Sequence, residues 1–269
     1  MKQAMADAEL RDRIESIQAE FPYYGYRRVH EHLEKYEGLT VNKKRIQRVM
    51  QEHGLHALVW RGFKVKTTDS EHDYAYAPNL LPGLTVDEPN QVWVADITYI
   101  RILTGFVYLA AILDLFSRRV VGWAISQRIN HELCLAALLM AVKERRPPPG
   151  CIHHSDRGVQ YACAEYVRFL EDHEIARSMS AQGYCYDNAF MESFYSTLKK
   201  EEVYLSEYET YEDVLASVPR FIAAVYNAKR LHSSIGYCSP DEYERLWETG
   251  ELEKLGINPR LKLKGKFSN

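Results

Sequence analysis

The sequence predicts an α/β fold in which five strands and their flanking helices follow a small helical region. Residues 91–178 contain five short runs rich in β-branched, aromatic and other apolar residues, and helical patterns separate the later runs. Residues 7–54 show helical spacing alone. Between these regions, residues 67–90 contain several Pro, Gly, Asn and Ser residues that interrupt any periodicity, which is typical of a linker.

The first region predicts three short helices. Residues 7–20 carry Leu10, Ile14 and Ile17 at helical spacing, and a second helix over 26–36 ends at Gly38. A third helix, capped by Thr40 or Asn42, ends at Gly54 and carries four basic residues: Lys43, Lys44, Arg45 and Arg48. Two short helices joined by a Gly-containing turn, the second of them basic, indicate a helix-turn-helix that contacts DNA phosphates.

The second region predicts the strands and helices of a larger domain. Strands are expected at 91–100, 105–113, 119–125, 151–154 and 175–178, and helices at 131–145, 160–172 and around Glu192. A helical stretch over 211–229 contains Pro219, which should kink or divide it, and a short helix begins near Ser239.

Three acidic residues occupy unusual places in this pattern. Asp96 lies inside a strand of buried character, where a carboxylate loses hydration and needs a partner or a metal. Asp156 lies where a short strand breaks into a Gly-containing turn, and Glu192 lies on a mostly apolar helix that also carries Asn188 and Lys199 on the same face. Taken alone, Asp156 and Glu192 are each compatible with a solvated surface charge. A further acid, Asp114, also follows an apolar strand and is expected to face a turn.

The blocks around these acids resemble the catalytic core of retroviral-integrase-like transposases, in particular the second-reading-frame product of two-frame bacterial insertion sequences. The matching stretches are Trp93-Val94-Ala95-Asp96-Ile97-Thr98-Tyr99, His154-Ser155-Asp156-Arg157-Gly158 and Tyr186-Asp187-Asn188-Ala189, the last leading to Glu192 and Lys199. The 35 residues between Asp156 and Glu192 match the spacing of that family, and Tyr226, Asn227, Arg230 and His232 match a later motif. The resemblance covers residues 22–247 and implies a ribonuclease-H-like mixed five-stranded sheet.

The resemblance also implies a catalytic site and its cofactors. Asp96, Asp156 and Glu192 would be the catalytic metal ligands, holding two Mg²⁺ or Mn²⁺ ions, since oxygen-only ligands favour these ions over zinc. Lys199, with Lys200 beside it, would contact DNA near the cut. Asp187 and Asn188 would orient the metal ligands or cap the helix, and the resemblance gives no role for Arg230 and His232.

Composition and charge restrict the remaining possibilities. The five cysteines are scattered without a CxxC spacing, which disfavours a disulfide framework and a zinc site, so His153 and His154 are expected to be packed. No apolar run reaches membrane-spanning length and no signal peptide is visible, so a cytoplasmic, nucleoid-associated location is expected. The net charge is −3, yet residues 22–68 hold ten Lys or Arg against four Glu, which favours DNA contact there.

The expected organisation has five parts. They are a helix-turn-helix region (1–66), a linker (67–90), the catalytic core (91–205), C-terminal helices that complete it (206–248) and a basic flexible tail (249–269). Expected partners are double-stranded DNA, further copies of the chain and the upstream-frame protein. Two alternatives stay open: a catalytically silent DNA-binding regulator on the same scaffold, and a ribonuclease-H-type nuclease.

Overall fold

The computed structural model describes residues 6–58, 76–180 and 189–263. Contacts within the chain divide these residues into two units. The helical unit contains residues 6–58 together with Leu231–Tyr237, and the core unit contains the other described residues. Residues 231–237 lie within the stretch expected to form the C-terminal helices of the core, whereas the contacts group this short segment with the N-terminal helices.

The helical unit contains three helices with a shared apolar core. They are α1 (Asp7–Glu20), α2 (Tyr26–Glu37) and α3 (Lys43–Glu52). Leu10, Ile14, Leu33, Ile46 and Val49 are completely buried, as the helical spacing predicts. The predicted ends are also found: Gly38 closes α2 with φ +64°, and the Asn42 side chain accepts a hydrogen bond from the N–H of Lys44.

The core unit is built on a five-stranded mixed sheet. Its strands are β2 (Val92–Ile102), β3 (Gly105–Asp114), β4 (Val120–Ser126), β5 (Ile152–Ser155) and β6 (Ala176–Met179), after the two-residue β1 (Thr85–Val86). The sheet order is β4-β3-β2-β5-β6. The β2–β3 and β3–β4 pairs are antiparallel and the β2–β5 and β5–β6 pairs are parallel. The predicted fold class is therefore confirmed.

Helices cover the sheet and extend beyond it. They are α4 (His131–Arg145), α5 (Val159–Ala162), α6 (Ala164–Asp172), α7 (Ala189–Leu198), α8 (Tyr204–Ser206), α9 (Tyr211–Arg220) and α10 (Pro240–Glu248). The helix predicted over 160–172 is divided into α5 and α6 at Cys163. The stretch predicted over 211–229 changes from α9 to a π-helix at Phe221–Asn227, two residues after Pro219, which lacks the N–H that an α-helix needs.

Two faces of β2 have different neighbours. Trp93, Ala95 and Ile97 belong to a buried cluster with residues of α4, α5 and α6. Because side chains alternate along a strand, Val94 and Asp96 point to the opposite face of the sheet. The helix α7, which carries Glu192, contacts β2.

The region expected to be a flexible tail is structured over its described part. Leu252 is buried, and β7 (Leu261–Lys262) pairs with β1 in an antiparallel ribbon. The β1 residues lie in the stretch expected to be a linker, so the two segments satisfy each other's backbone hydrogen bonds. Within the described ranges, no helix combines the length and the apolar character that crossing a bilayer requires.

Candidate active site

Asp96 lies near the middle of β2 and is partly buried. Its Oδ1 accepts a hydrogen bond of 2.8 Å from the N–H of Ile97, and the residue is paired with Ala111 on β3. The main chain at this point is therefore fixed from the β3 side by the sheet ladder, and the carboxylate is oriented by a backbone donor.

Asp156 follows directly after β5, the parallel neighbour of β2. The register pairs Val92 with Ile152 and Val94 with His154, so continuing it by two residues aligns Asp96 with Asp156. Neighbouring strands lie about 4.8 Å apart. Oδ1 of Asp156 accepts a hydrogen bond of 2.9 Å from the N–H of Gly158, so the turn orients this carboxylate too. Asp156 thus lies one residue beyond the end of the strand next to β2, where the continued register would bring it level with Asp96.

Glu192 lies in the first turn of α7 and is exposed. Three residues further along, the buried hydroxyl of Tyr195 donates a hydrogen bond to the carbonyl of Asp96, which fixes the helix next to that strand residue. The carboxylates of Asp96, Asp156 and Glu192 do not form a group with all ligand oxygens within 4.8 Å of one another. The structure therefore brings the helix of the third acid to Asp96, while the three carboxylates as a group lie further apart than the ligands of one metal ion.

Lys199 follows α7 and begins a π-helical turn, Lys199–Val203. Its Nζ lies 4.1 Å from the centre of the Tyr99 ring on β2. Burial lowers the pKa of the Lys199 ammonium, and the negative charge of Asp96 opposes that shift. Lys200 is partly buried in the same turn. The ammonium group of Lys199 is thus held at β2, the strand that carries Asp96.

The histidines beside Asp156 are packed, as predicted. The ring nitrogens of His154 lie 2.8 Å from the Ser178 hydroxyl and 3.0 Å from the Ser180 hydroxyl, and His153 Nε2 lies 2.9 Å from the Tyr166 hydroxyl. Burial lowers the pKa of His153 to about 3 and that of His154 to about 4, so both rings are neutral at pH 7. Their hydrogen bonds stabilise the carboxyl end of β5, from which Asp156 projects.

Comparisons with known proteins identify the family of the chain. Two family models described as Integrase core domain match residues 86–185 and 173–240, and one described as HTH-like domain matches residues 5–63. An uncharacterized 31 kDa protein of insertion element IS600 from Shigella sonnei is 40% identical over 218 residues, which are 81% of this chain and 79% of the relative. The transposase InsF for insertion sequence IS3A from Escherichia coli K12 is 38% identical over 82% of this chain and 76% of its own length.

The chain belongs to the insertion-sequence transposases with an integrase core. A third relative, the transposase for insertion sequence element IS904 from Lactococcus lactis, is 38% identical over 77% of this chain and 82% of its own length. A solved intasome of simian T-cell lymphotropic virus, in complex with PP2A regulatory subunit B56 gamma, shares the fold with a TM-score of 0.51 at 14% identity. That match covers 86% of this chain and 74% of the viral one. The predicted family and enzyme class, a polynucleotidyl transferase, are confirmed.

The basic residues predicted on α3 of this transposase are largely engaged by acids within the helical unit. Lys43 Nζ lies 3.1 Å from Glu31, and Arg45 and Arg48 each lie 2.6 Å from Asp7. Arg48 also lies 2.8 Å from Glu52. Lys44 is exposed on the same helix. Such solvent-exposed pairs are screened by water and salt and add little to stability, so a phosphate can compete for these cations.

An open cleft in the helical unit was not anticipated from the sequence. Its volume is about 370 Å³, and it is lined by Gly25, Tyr26, Arg27, Arg28, Ser233 and Tyr237.

The predicted roles of Asp187 and Asn188 stay predictions, because both residues lie outside the described part of the chain.

The residues of the later motif, whose roles the sequence left open, have contacts in both units. Arg230 donates two hydrogen bonds to the carboxylate of Glu201, at 2.8 and 2.7 Å. The side-chain amide of Asn227 both donates to the carbonyl and accepts from the N–H of Val120, each at 3.0 Å. His232 belongs to the helical unit, where its carbonyl accepts hydrogen bonds from Ile235 and Tyr237.

Proposed function

We propose that Asp96, Asp156 and Glu192 are the catalytic carboxylates, and that with two Mg²⁺ or Mn²⁺ ions they cleave DNA at the ends of an insertion element. The freed 3′-hydroxyl is then joined to target DNA. The observation that carries this proposal is the parallel register of β2 and β5, which aligns Asp96 with Asp156, next to a helix that carries Glu192.

The donor chemistry of the three residues fits a hard divalent cation. All three offer carboxylate oxygens alone, the ligand type that suits magnesium and manganese. Two carboxylates about 4 Å apart repel by roughly 4 kcal/mol at an effective dielectric of 20, so an adjacent pair of aspartates favours a bound cation. Paired divalent ions supply charge neutralisation on the phosphate, an activated attacking oxygen and a stabilised leaving oxygen.

The three carboxylates differ in how firmly the folded chain orients them before a ligand binds. Asp96 and Asp156 are partly buried, and each accepts a hydrogen bond from a backbone N–H, so both carboxylates are oriented before any ligand arrives. Glu192 is exposed on the first turn of its helix, so its longer side chain is the least restricted of the three. Lys199, held over Tyr99 beside β2, supplies a positive charge that attracts the DNA phosphate.

The helical unit supplies binding to element ends in this proposal. Lys43, Lys44, Arg45 and Arg48 contact phosphates, with the carboxylates of Asp7, Glu31 and Glu52 giving way as DNA binds. Two element ends must be held together for strand transfer, so the active complex contains several copies of the chain. The upstream-frame protein would add further end contacts, as a fusion or as a separate subunit. Bacterial DNA as the substrate places this activity at the nucleoid, in the cytoplasm.

The test of the proposed site is Asp96→Asn in the full chain. Loss of one ligand carboxylate removes several kcal/mol of transition-state stabilisation, so cleavage of end-containing DNA should fall more than about a hundredfold. Binding of the same DNA should stay within about twofold of wild type. Asp172→Asn, at an exposed position on α6, is the matched control and should cleave normally.

A second measurement reads metal binding without catalysis. A ligand at a hundred times its Kd stabilises the folded state by about 2.7 kcal/mol, so Mn²⁺ should raise the melting temperature of wild type and of Asp172→Asn. Asp96→Asn should lose most of that increase. Normal cleavage by Asp96→Asn, or an equal Mn²⁺ response in all three proteins, would refute the assignment.

A further inference from the structure

The helix α7 carries different groups on its two faces. At 100° per residue, Phe190 and Phe194 lie on one face, whereas Glu192 projects about 160° from both of them. Lys199 directly follows α7 and continues on the Glu192 side. The position of the Glu192 and Lys199 side chains therefore depends on what holds the phenylalanine face.

Contacts occur along the phenylalanine face and beyond the end of the helix. The guanidinium of Arg118 lies 4.0 Å from the centre of the Phe190 ring. The ring of Tyr226 meets Phe194 edge to face, with centroids 4.9 Å apart and an angle of 74° between the planes. Arg230 makes its two hydrogen bonds to Glu201, two residues after Lys199.

Two of these contacts come from one short stretch, residues 226–230. Asn227 fixes this stretch to the sheet, because its amide makes two 3.0 Å hydrogen bonds to the main chain of Val120 on β4. Tyr226 and Arg230 thus extend from a point attached to the sheet, and each contacts the helix or the turn that follows it. Asn227 is buried, with 4% of its surface exposed, so these bonds are shielded from water.

We propose that Tyr226, Asn227 and Arg230 are positioning residues, which fix α7 and the following turn so that Glu192 and Lys199 are aligned with Asp96. This inference rests on the function proposed above for Glu192, Lys199 and Asp96. On the other side of the helix, the Tyr195 hydroxyl contacts the Asp96 carbonyl, so α7 is held between β2 and the 226–230 segment.

The ion pair of Arg230 and Glu201 restricts the position of the turn after α7 relative to the 226–230 segment. Its side chains are 6% and 11% exposed, and burial of two charges cancels much of their attraction, so the pair adds little net stability. Its two parallel N–H···O bonds, however, restrict both distance and orientation in a way that a single lysine contact cannot reproduce. Arg230→Lys therefore keeps the charge and removes the constraint.

The experiment compares Arg230→Lys with Arg220→Lys in the full chain. Arg220 is exposed on α9, so its substitution is the same chemical change without a buried partner. A displacement of about 1 Å can reduce a rate by about a hundredfold, so Arg230→Lys should lower the rate constant for cleavage of prebound end DNA by about 10- to 100-fold. Its DNA affinity should stay within about twofold of wild type.

Amide hydrogen exchange without metal or DNA gives the readout that does not depend on activity. Residues 189–203 should exchange at least about tenfold faster in Arg230→Lys than in wild type or Arg220→Lys, while β2 and β3 exchange at the wild-type rate. Glu201→Asp, which keeps both charges but shortens the acid, is the second variant and should show the same two changes. If Arg230→Lys does not fold, Glu201→Asp tests the inference in its place.

Each outcome bears on the inference. Unchanged exchange in 189–203, or wild-type cleavage by the folded variants, would overturn it. Equal acceleration of exchange in all the strands would also overturn it, because the pair would then act on stability as a whole. If wild type itself does not cleave end DNA, the proposed function fails, and the exchange data still judge whether residues 226–230 hold α7.

Discussion

Asp114 is the acid whose environment gives the sharpest prediction about pH. It is the last residue of β3, is fully buried, and accepts hydrogen bonds from the N–H groups of Asn90 at 2.7 Å and Phe116 at 2.9 Å. This confirms the expectation of a strand-end aspartate facing a turn. Burial raises its pKa to about 6, and nearby Glu244 adds to the increase, while the two N–H donors and Arg145 oppose it.

The raised pKa makes stability depend on pH in a defined direction. Between about pH 4 and pH 6 the folded protein keeps a proton on Asp114 that the unfolded chain, with an ordinary pKa of 3.8, has released. The associated stabilisation is complete below pH 4 and is lost as the pH rises through 6. A shift of about two units corresponds to about 3 kcal/mol, at 1.36 kcal/mol per unit.

Asp114→Asn cannot ionise and should lack this loss. Urea unfolding at several pH values between 4 and 7 gives the free energy of unfolding of both proteins, and the difference between them cancels the titration of all other groups. Part of this term is already lost at pH 4, so the difference should move in favour of Asp114→Asn by roughly 2 kcal/mol from pH 4 to pH 7, whatever the cost of the substitution at pH 4. Parallel curves for the two proteins would refute the argument that burial controls this carboxyl.

Three further predictions concern packing and DNA contact. In Gly122→Ala the new Cβ would lie 2.3 Å from the carbonyl oxygen of Ala137 on α4. We therefore expect the free energy of unfolding, measured in urea, to fall by about 1–3 kcal/mol. Gly25→Ala is the control and should cost far less, because a Cβ there would meet nothing within 4 Å. Lys44→Ala should weaken binding of end DNA and reduce the salt slope by about one ion, measured by fluorescence anisotropy across a salt series. Asp7→Asn should strengthen binding, because it releases two arginines of α3, and weaker binding by this variant would argue that the ion pairs hold the arginines in their DNA-contacting positions.

The elements that the sequence predicts well are those with local signals. The α3 helix follows from the Asn42 cap and the apolar spacing of Ile46 and Val49, and both are found. The strands β2 and β3 follow from their β-branched runs and the short turn between them. The break after Pro219 was also predicted, although the switch to a π-helix was not, because that depends on how the following residues pack.

Contacts between distant residues could not be predicted in the same way. The ion pair between Glu201 and Arg230 joins residues 29 apart, and the pairs of Arg45 and Arg48 with Asp7 join residues 38 and 41 apart. No periodicity links such positions, and charged residues at those places are equally compatible with solvated surfaces. The same limit explains β1 and β7, whose pairing gives structure to segments that read as a linker and a tail.

The origin of each acid's position suggests how the candidate site can fail. The strand that carries Asp96 and the strand that precedes Asp156 are joined by main-chain hydrogen bonds between β2 and β5, which a single side-chain substitution leaves in place. The position of Glu192 depends instead on side-chain contacts, through Tyr195 toward the strand and through Arg118, Tyr226 and Arg230 on the other side. We therefore expect substitutions outside the site to act on the Glu192 helix much more often than on the aspartate pair.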